Sequence, residues 1–94
     1  MDVNSVSKGT RVRVEYVAKV DGKVVDKSEG NGPLEFIAGT GEMIQGFDEA
    51  VLGMKLGQEK TVTVPPEKAY GTSKADHPLG GKTMVFWIKV VGIG

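Results

Sequence analysis

The sequence predicts an α+β domain, an antiparallel β-sheet curled over one short helix, and three features carry that reading. Arg11 to Val20 alternates polar and apolar residues at every position but Val17, as a strand buried on one face does. Asp21-Gly22 follows directly and signals a tight hairpin, because glycine tolerates positive φ. Helical spacing is confined to Gly46 to Gly53, GFDEAVLG, where Phe47, Ala50 and Val51 stand at i, i+3 and i+4. A helix of about two turns does not persist alone in water, so the strands must hold it. The 94 residues suffice for one domain with one core, spanning positions 1–94.

Each element has its own justification along the chain. Met1 to Lys8 is polar with two isolated valines and reads either as a loose tail or as a weak edge strand. In the first strand Val12, Val14, Tyr16, Ala18 and Val20 share the inward face, while Arg11, Arg13, Glu15 and Lys19 share the other. Lys23 to Lys27 returns from the hairpin and runs into a Gly-, Asn- and Pro-containing loop from Ser28 to Pro33. Leu34 to Ala38 is a third strand, with Leu34, Phe36 and Ala38 on one face. Gly39-Thr40-Gly41-Glu42 turns the chain into the helix. There Asp48 and Glu49 suit the positive end of the helix dipole, and Gly53 supplies the left-handed stop. Met54 to Gln58 connects to Glu59 to Val64, which alternates again until Pro65-Pro66 ends it, since proline cannot donate to a ladder. Thr72 to Lys82 is an irregular loop with the only histidine, His77. Thr83 to Ile93 closes the chain as its most apolar strand, and the strand connections are short and hairpin-like.

Composition excludes several function classes. Formal net charge is zero, so no long-range field draws the chain to nucleic acid or to an anionic membrane, and no apolar run reaches spanning length. Cysteine is absent, which removes disulfides, thiolate nucleophiles and cysteine metal sites. That absence and the lack of an apolar leader fit the cytoplasm. Gly39-Thr40-Gly41 fails as a phosphate loop, because Ile44 stands where GxGxxG needs its third glycine and no GK[ST] follows. His77 has no second ligand at metal spacing and no nucleophile to activate. Asp48 and Glu49 are adjacent on a helix, point in different directions and make no acid–base pair. No cofactor and no metal is implied.

What remains is an apolar constellation with polar tips: Tyr16, Leu34, Phe36, Phe47, Tyr70 and Phe86, drawn from strands, helix and loop. Phe36 reads as core. The tyrosines ask for more, because a buried hydroxyl needs a partner. A concave apolar site with a few polar groups is the usual form of a small-ligand pocket.

The wording of the chain is also specific. Met43-Ile44-Gln45-Gly46-Phe47-Asp48-Glu49-Ala50, Met54-Lys55-Leu56-Gly57, Pro66-Glu67-Lys68-Ala69-Tyr70-Gly71, Tyr16, the run from Asp21 to Asp26, and Thr83-Met84-Val85-Phe86 resemble the FKBP family of peptidyl-prolyl cis/trans isomerases. The likeness covers nearly the whole chain from Lys8 onward, in the family's order. It implies a twisted antiparallel sheet wrapped around the short helix, with a proline site between them. It implies Phe47 as the floor, Met43 and Ile44 as one wall, and Tyr16, Val25, Leu34 and Phe86 as the remaining lining. Asp26 and the Tyr70 hydroxyl become the polar groups near substrate, and the Ile44 N–H a donor to a substrate carbonyl. His77 and Leu79 fall in the loop above the pocket. The implied partners are proline-containing peptides, unfolded proteins and macrolides of the tacrolimus and rapamycin type, met by a monomer.

Two departures qualify the likeness. Human-type members have tryptophan where this chain has Phe47. The run from Asp76 to Lys82 resembles the SlyD-like and archaeal branch, whose SlyD-type members carry a chaperone domain between Tyr-Gly and His-Pro-Leu; here only Thr72 to Asp76 stands there. The reading is therefore an isomerase acting without covalent chemistry, the alternative being a proline-segment or macrolide binding module, or an engineered scaffold, with little turnover. Two geometric expectations follow. Val25 and Asp26 are neighbours and cannot both face a pocket in a regular strand, so a bulge or twist near Asp26 is expected. Trp87, next to Phe86, should point to the outer face of the sheet.

Overall fold

Strand β1, Arg11–Val20, has the bounds its alternation dictates, and its inward residues Val12, Val14, Ala18 and Val20 are buried. A computed structural model describes residues 5–73 and 77–94. Positions 1–4 of the N-terminal segment and 74–76 of the loop 72–82 lie outside the described residues. The remaining elements are β2 (Lys23–Lys27), β3 (Leu34–Ile37), α1 (Gln45–Val51), β4 (Glu59–Val64), a 3-10 turn (Pro66–Lys68) and β5 (Met84–Ile93). The fold is α+β: a five-stranded antiparallel sheet, in the order β2-β1-β5-β4 with β3 also on β1, around one short helix.

Asp21 at φ 53° and Gly22 at φ 79° make the two-residue hairpin between β1 and β2. The other pairings depart from hairpin-like connections. β3 pairs with Arg11–Val14 of β1 rather than with β2, and β5, remote in sequence, covers β1 from Val12 to Lys19. One edge of β1 is thus divided, β3 on its first half and β2 on its second. The expected bulge is present: Ala18 opposes Asp26 and Lys19 opposes Val24, so Val25 is the extra residue in β2.

Helix α1 begins at Gln45 and stops at Val51, and the left-handed Gly53 stands beyond the C-cap Leu52. Its face of Phe47, Ala50 and Val51 closes one core with Val12, Val14, Ala18, Phe36, Ile88 and Val90. Asp48 does more than face the helix dipole. It is buried, and its two carboxylate oxygens accept the backbone N–H groups of Gly39 (2.6 Å) and Gly41 (3.0 Å). Both glycines have positive φ, which turns their N–H groups toward one acceptor. That clasp fixes the turn leading into Met43 and Ile44. At the N-terminal end Ser5 bridges Lys55, and buried Val6 exchanges hydrogen bonds with Gly53 and Met54.

Candidate active site

Between α1 and the concave face of the sheet lies a cavity of about 170 Å³. Phe47, fully buried, forms its floor, because helical spacing turns this residue inward with Ala50 and Val51. Three rings meet it edge-on: Tyr16 at 5.8 Å, Phe36 at 5.7 Å and Phe86 at 5.1 Å between centroids. That is the arrangement the ring quadrupoles favour. Met43 and Ile44, where the chain enters α1, line one side, and Val25 with Asp26 line another because the bulge lets both face inward. Tyr70 and Leu79 complete the rim.

Of the residues singled out in the sequence, the cavity gathers Tyr16, Val25, Asp26, Met43, Ile44, Phe47, Tyr70, Leu79 and Phe86. Leu34 is not among them. It sits opposite Val14 on β1, in the half of that strand covered by β3, and packs partly buried on the core. His77 does not line the cavity either, but its ring stacks on Tyr70 with centroids 4.2 Å apart. Two lining residues were not singled out as site residues: Ala18, two positions from Tyr16 on β1, and Met84, two positions from Phe86 on β5. Period-two alternation is the signal that finds both. Ser28 gave no such signal. Its Oγ accepts the Tyr16 N–H at 2.9 Å and so holds the backbone beneath the tyrosine.

The polar groups divide into a paired set and an open set. The Tyr16 hydroxyl donates to Asp26 Oδ2 at 2.8 Å, and the other carboxylate oxygen accepts the Lys27 N–H at 2.8 Å. Burial, then the hydrogen bond to Asp26 and its negative charge, push the Tyr16 phenol up to about 12. The Tyr70 hydroxyl and the Ile44 N–H, by contrast, have no acceptor among the described residues. An apolar floor with two unengaged donors at its edge can hold a ring and the carbonyls that flank it.

The raised phenol makes a pH prediction. A group whose folded value exceeds the ordinary tyrosine value near 10 favours its neutral form in the fold. Its contribution to stability is whole below about pH 10 and is lost as the pH climbs toward 12. Phenolate absorbance should therefore show Tyr16 titrating late, and Asp26→Asn should bring it down only part of the way, since burial is the larger cause. Full return to the ordinary value in Asp26→Asn would contradict that order of causes.

The chain matches the family model described as FKBP-type peptidyl-prolyl cis-trans isomerase over residues 3–91. The chain belongs to the FKBP family. Among similar proteins, this FKBP chain is 47% identical over 83 residues to a short-type peptidyl-prolyl cis-trans isomerase of Methanocaldococcus jannaschii, covering 73% of this chain and 53% of that protein. It is 42% identical over 86 residues to FK506-binding protein 4 of Mycosarcoma maydis, covering 90% of this chain and 23% of the relative. To FK506-binding protein 2 of Aspergillus oryzae it is 39% identical over 89 residues, 92% of this chain and 66% of the relative. The FKBP chain thus spans about half the length of the archaeal relative and under a quarter of the longer fungal one.

Trp87 is the remaining large aromatic. It lies on the outer face of the FKBP sheet beside Val17, Thr61 and Val85, and its Nε1–H donates to Glu59 at 3.0 Å. A peptide bound in the cavity should leave tryptophan emission nearly unchanged. A large quench at saturation would mean that binding reaches through the sheet or occurs on its other side.

Proposed function

We propose that the chain is a peptidyl-prolyl cis/trans isomerase whose reaction takes place in the cavity over Phe47. One observation carries the reading above the others: an aromatic floor bordered by two donors with no acceptor among the described residues, the Tyr70 hydroxyl and the Ile44 N–H. Rotation about an Xaa-Pro bond faces a barrier of about 18–20 kcal/mol, much of it lost amide resonance. Water favours the planar, charge-separated ground state over the twisted one. An apolar cavity withdraws that advantage, so it binds the transition state better than the substrate. A millionfold acceleration asks for about 8 kcal/mol of such differential binding. No proton needs to move and no covalent bond needs to form.

In this reading Phe47, Tyr16 and Phe86 grip the proline ring, with Val25, Met43 and Leu79 as apolar walls. Tyr70 and the Ile44 N–H hold the flanking carbonyls. Asp26 accepts the Tyr16 hydroxyl and so fixes where the phenol stands at the rim. Short Xaa-Pro peptides and the same bonds in unfolded proteins are the substrates, which gives the chain a part in protein folding. The names of the fungal relatives supply a further support, for a cavity that also takes macrolides of the FK506 type.

A protease-coupled isomerisation assay on Leu-Pro and Glu-Pro tetrapeptides tests the proposal. Acceleration of both, with Leu-Pro faster, and competitive loss of that acceleration on adding tacrolimus, is the expected result. Peptide or macrolide binding without acceleration would replace the isomerase by a binding module. Equal rates for the two peptides would remove the role given to the apolar walls.

A further inference from the structure

The loop that carries Leu79 into the cavity is closed on itself by short hydrogen bonds. Gly81 N–H donates to the Gly71 carbonyl at 2.8 Å, joining the two ends. Gly80 N–H donates to the His77 carbonyl at 2.8 Å, which makes residues 77–80 a turn. A side chain at Gly80 would collide with the Ser73 carbonyl, so the two arms touch. Inside this turn His77 is half-buried, and among the described residues its imidazole makes two contacts. The Leu79 N–H donates to Nδ1 at 2.9 Å, and the ring face lies on Tyr70 at 4.2 Å with an 11° tilt. Both residues that His77 touches line the cavity, and His77 itself does not.

We infer that His77 is a positioning residue: one imidazole clamps Leu79 through Nδ1 and Tyr70 through its face, and so sets the rim of the cavity without touching substrate. The two contacts act on different parts of the site. Leu79 is an apolar wall, so its placement bears on how well a peptide binds. Tyr70 carries an unengaged hydroxyl, so its placement bears on where that donor stands when the amide twists. An imidazole can accept at Nδ1 only with the proton on Nε2, which makes the clamp visible as a tautomer. Phenylalanine at this position keeps a ring to stack and loses the acceptor. Asparagine keeps an acceptor at nearly the same place and loses the ring.

The kinetic part of this inference rests on the isomerase reading of the cavity, so the test has one arm that does not. Nitrogen-15 NMR of the wild-type chain at neutral pH should show His77 in the Nε2–H tautomer; the Nδ1–H tautomer overturns the clamp whatever the activity. In the peptide assay His77→Phe should raise KM about three- to tenfold, the range one net hydrogen bond supplies, with kcat nearly kept. His77→Asn should keep KM close to wild type, lower kcat and shift the Tyr70 ring protons as the stacked ring is lost. If the two variants behave alike, or both match the wild type, the division of labour proposed for the ring fails. If the wild type shows no turnover, the isomerase reading fails by itself. Peptide Kd then takes the place of KM, and an unchanged Kd in His77→Phe overturns the clamp on Leu79.

Discussion

Phe47→Ala should lower the stability of the fold by about 3–5 kcal/mol, the usual cost of truncating a buried aromatic to alanine. Phe47 is fully buried and is met by Tyr16, Phe36 and Phe86 at the same time, so none of the three neighbours can collapse into the space without leaving another. For a domain of this size that loss corresponds to a fall in Tm on the order of 15–30 °C. It is a large share of the roughly 5–15 kcal/mol that holds a typical domain folded. Peptide isomerisation should vanish with it, because the same ring is the floor of the cavity. Phe47→Leu separates the two effects. It refills most of the volume, so much of the stability should return, but it offers no flat face to a proline ring. Denaturant unfolding and the peptide assay, run on both variants at a temperature where each is folded, make the comparison. A leucine variant with full activity would show that the cavity needs a floor but not an aromatic one.

Gly46→Ala should also destabilise, against the expectation from helix propensity alone. Alanine in place of a helical glycine ordinarily gains about 1 kcal/mol. Here a Cβ would collide with one methyl of Val64 and lie 2.8 Å from the other. Val64 is buried, and as a β-branched residue it has little freedom to turn away. Overpacking of this kind costs about 1–3 kcal/mol and occasionally more, so the steric term outweighs the propensity gain. The helix can relieve the clash only by moving off β4. That movement would carry Phe47 and Ile44 with it and raise KM for peptide. Adding Val64→Ala removes the colliding methyls, so the double variant should be more stable than the sum of the single losses predicts. Strict additivity would place the strain somewhere other than the helix–β4 contact.

The sequence by itself determined the strands: a period of two marks β1, β3 and β4, the Asp21-Gly22 turn brings β2 back, and an apolar run marks β5. It predicts β1 and β2 and β4 with their observed bounds, and β3 and β5 to within one residue. Helical spacing turned Phe47 inward, and its place as the floor came from the resemblance to the FKBP family. The bulge was legible once that resemblance placed both Val25 and Asp26 at one pocket, since two adjacent residues cannot share a face in a regular ladder.

Beyond the β1–β2 hairpin, only the tertiary structure decided which strands become neighbours. A period fixes which way a side chain points, not which partner it meets. The pairing of β5 with β1 and the division of one β1 edge between β3 and β2 are long-range choices settled by the packing of the whole core. Leu34 shows the consequence, because its inward orientation was correct and its half of β1 was not the half that faces the cavity. Asp48 and His77 show it again. Each holds backbone N–H groups at cavity-shaping segments, Asp48 those of Gly39 and Gly41 and His77 that of Leu79. The Asp48 bonds reach back to a preceding turn, and the His77 turn is seated on Tyr70, so both arrangements exist only once the loops have been folded against the helix and the sheet.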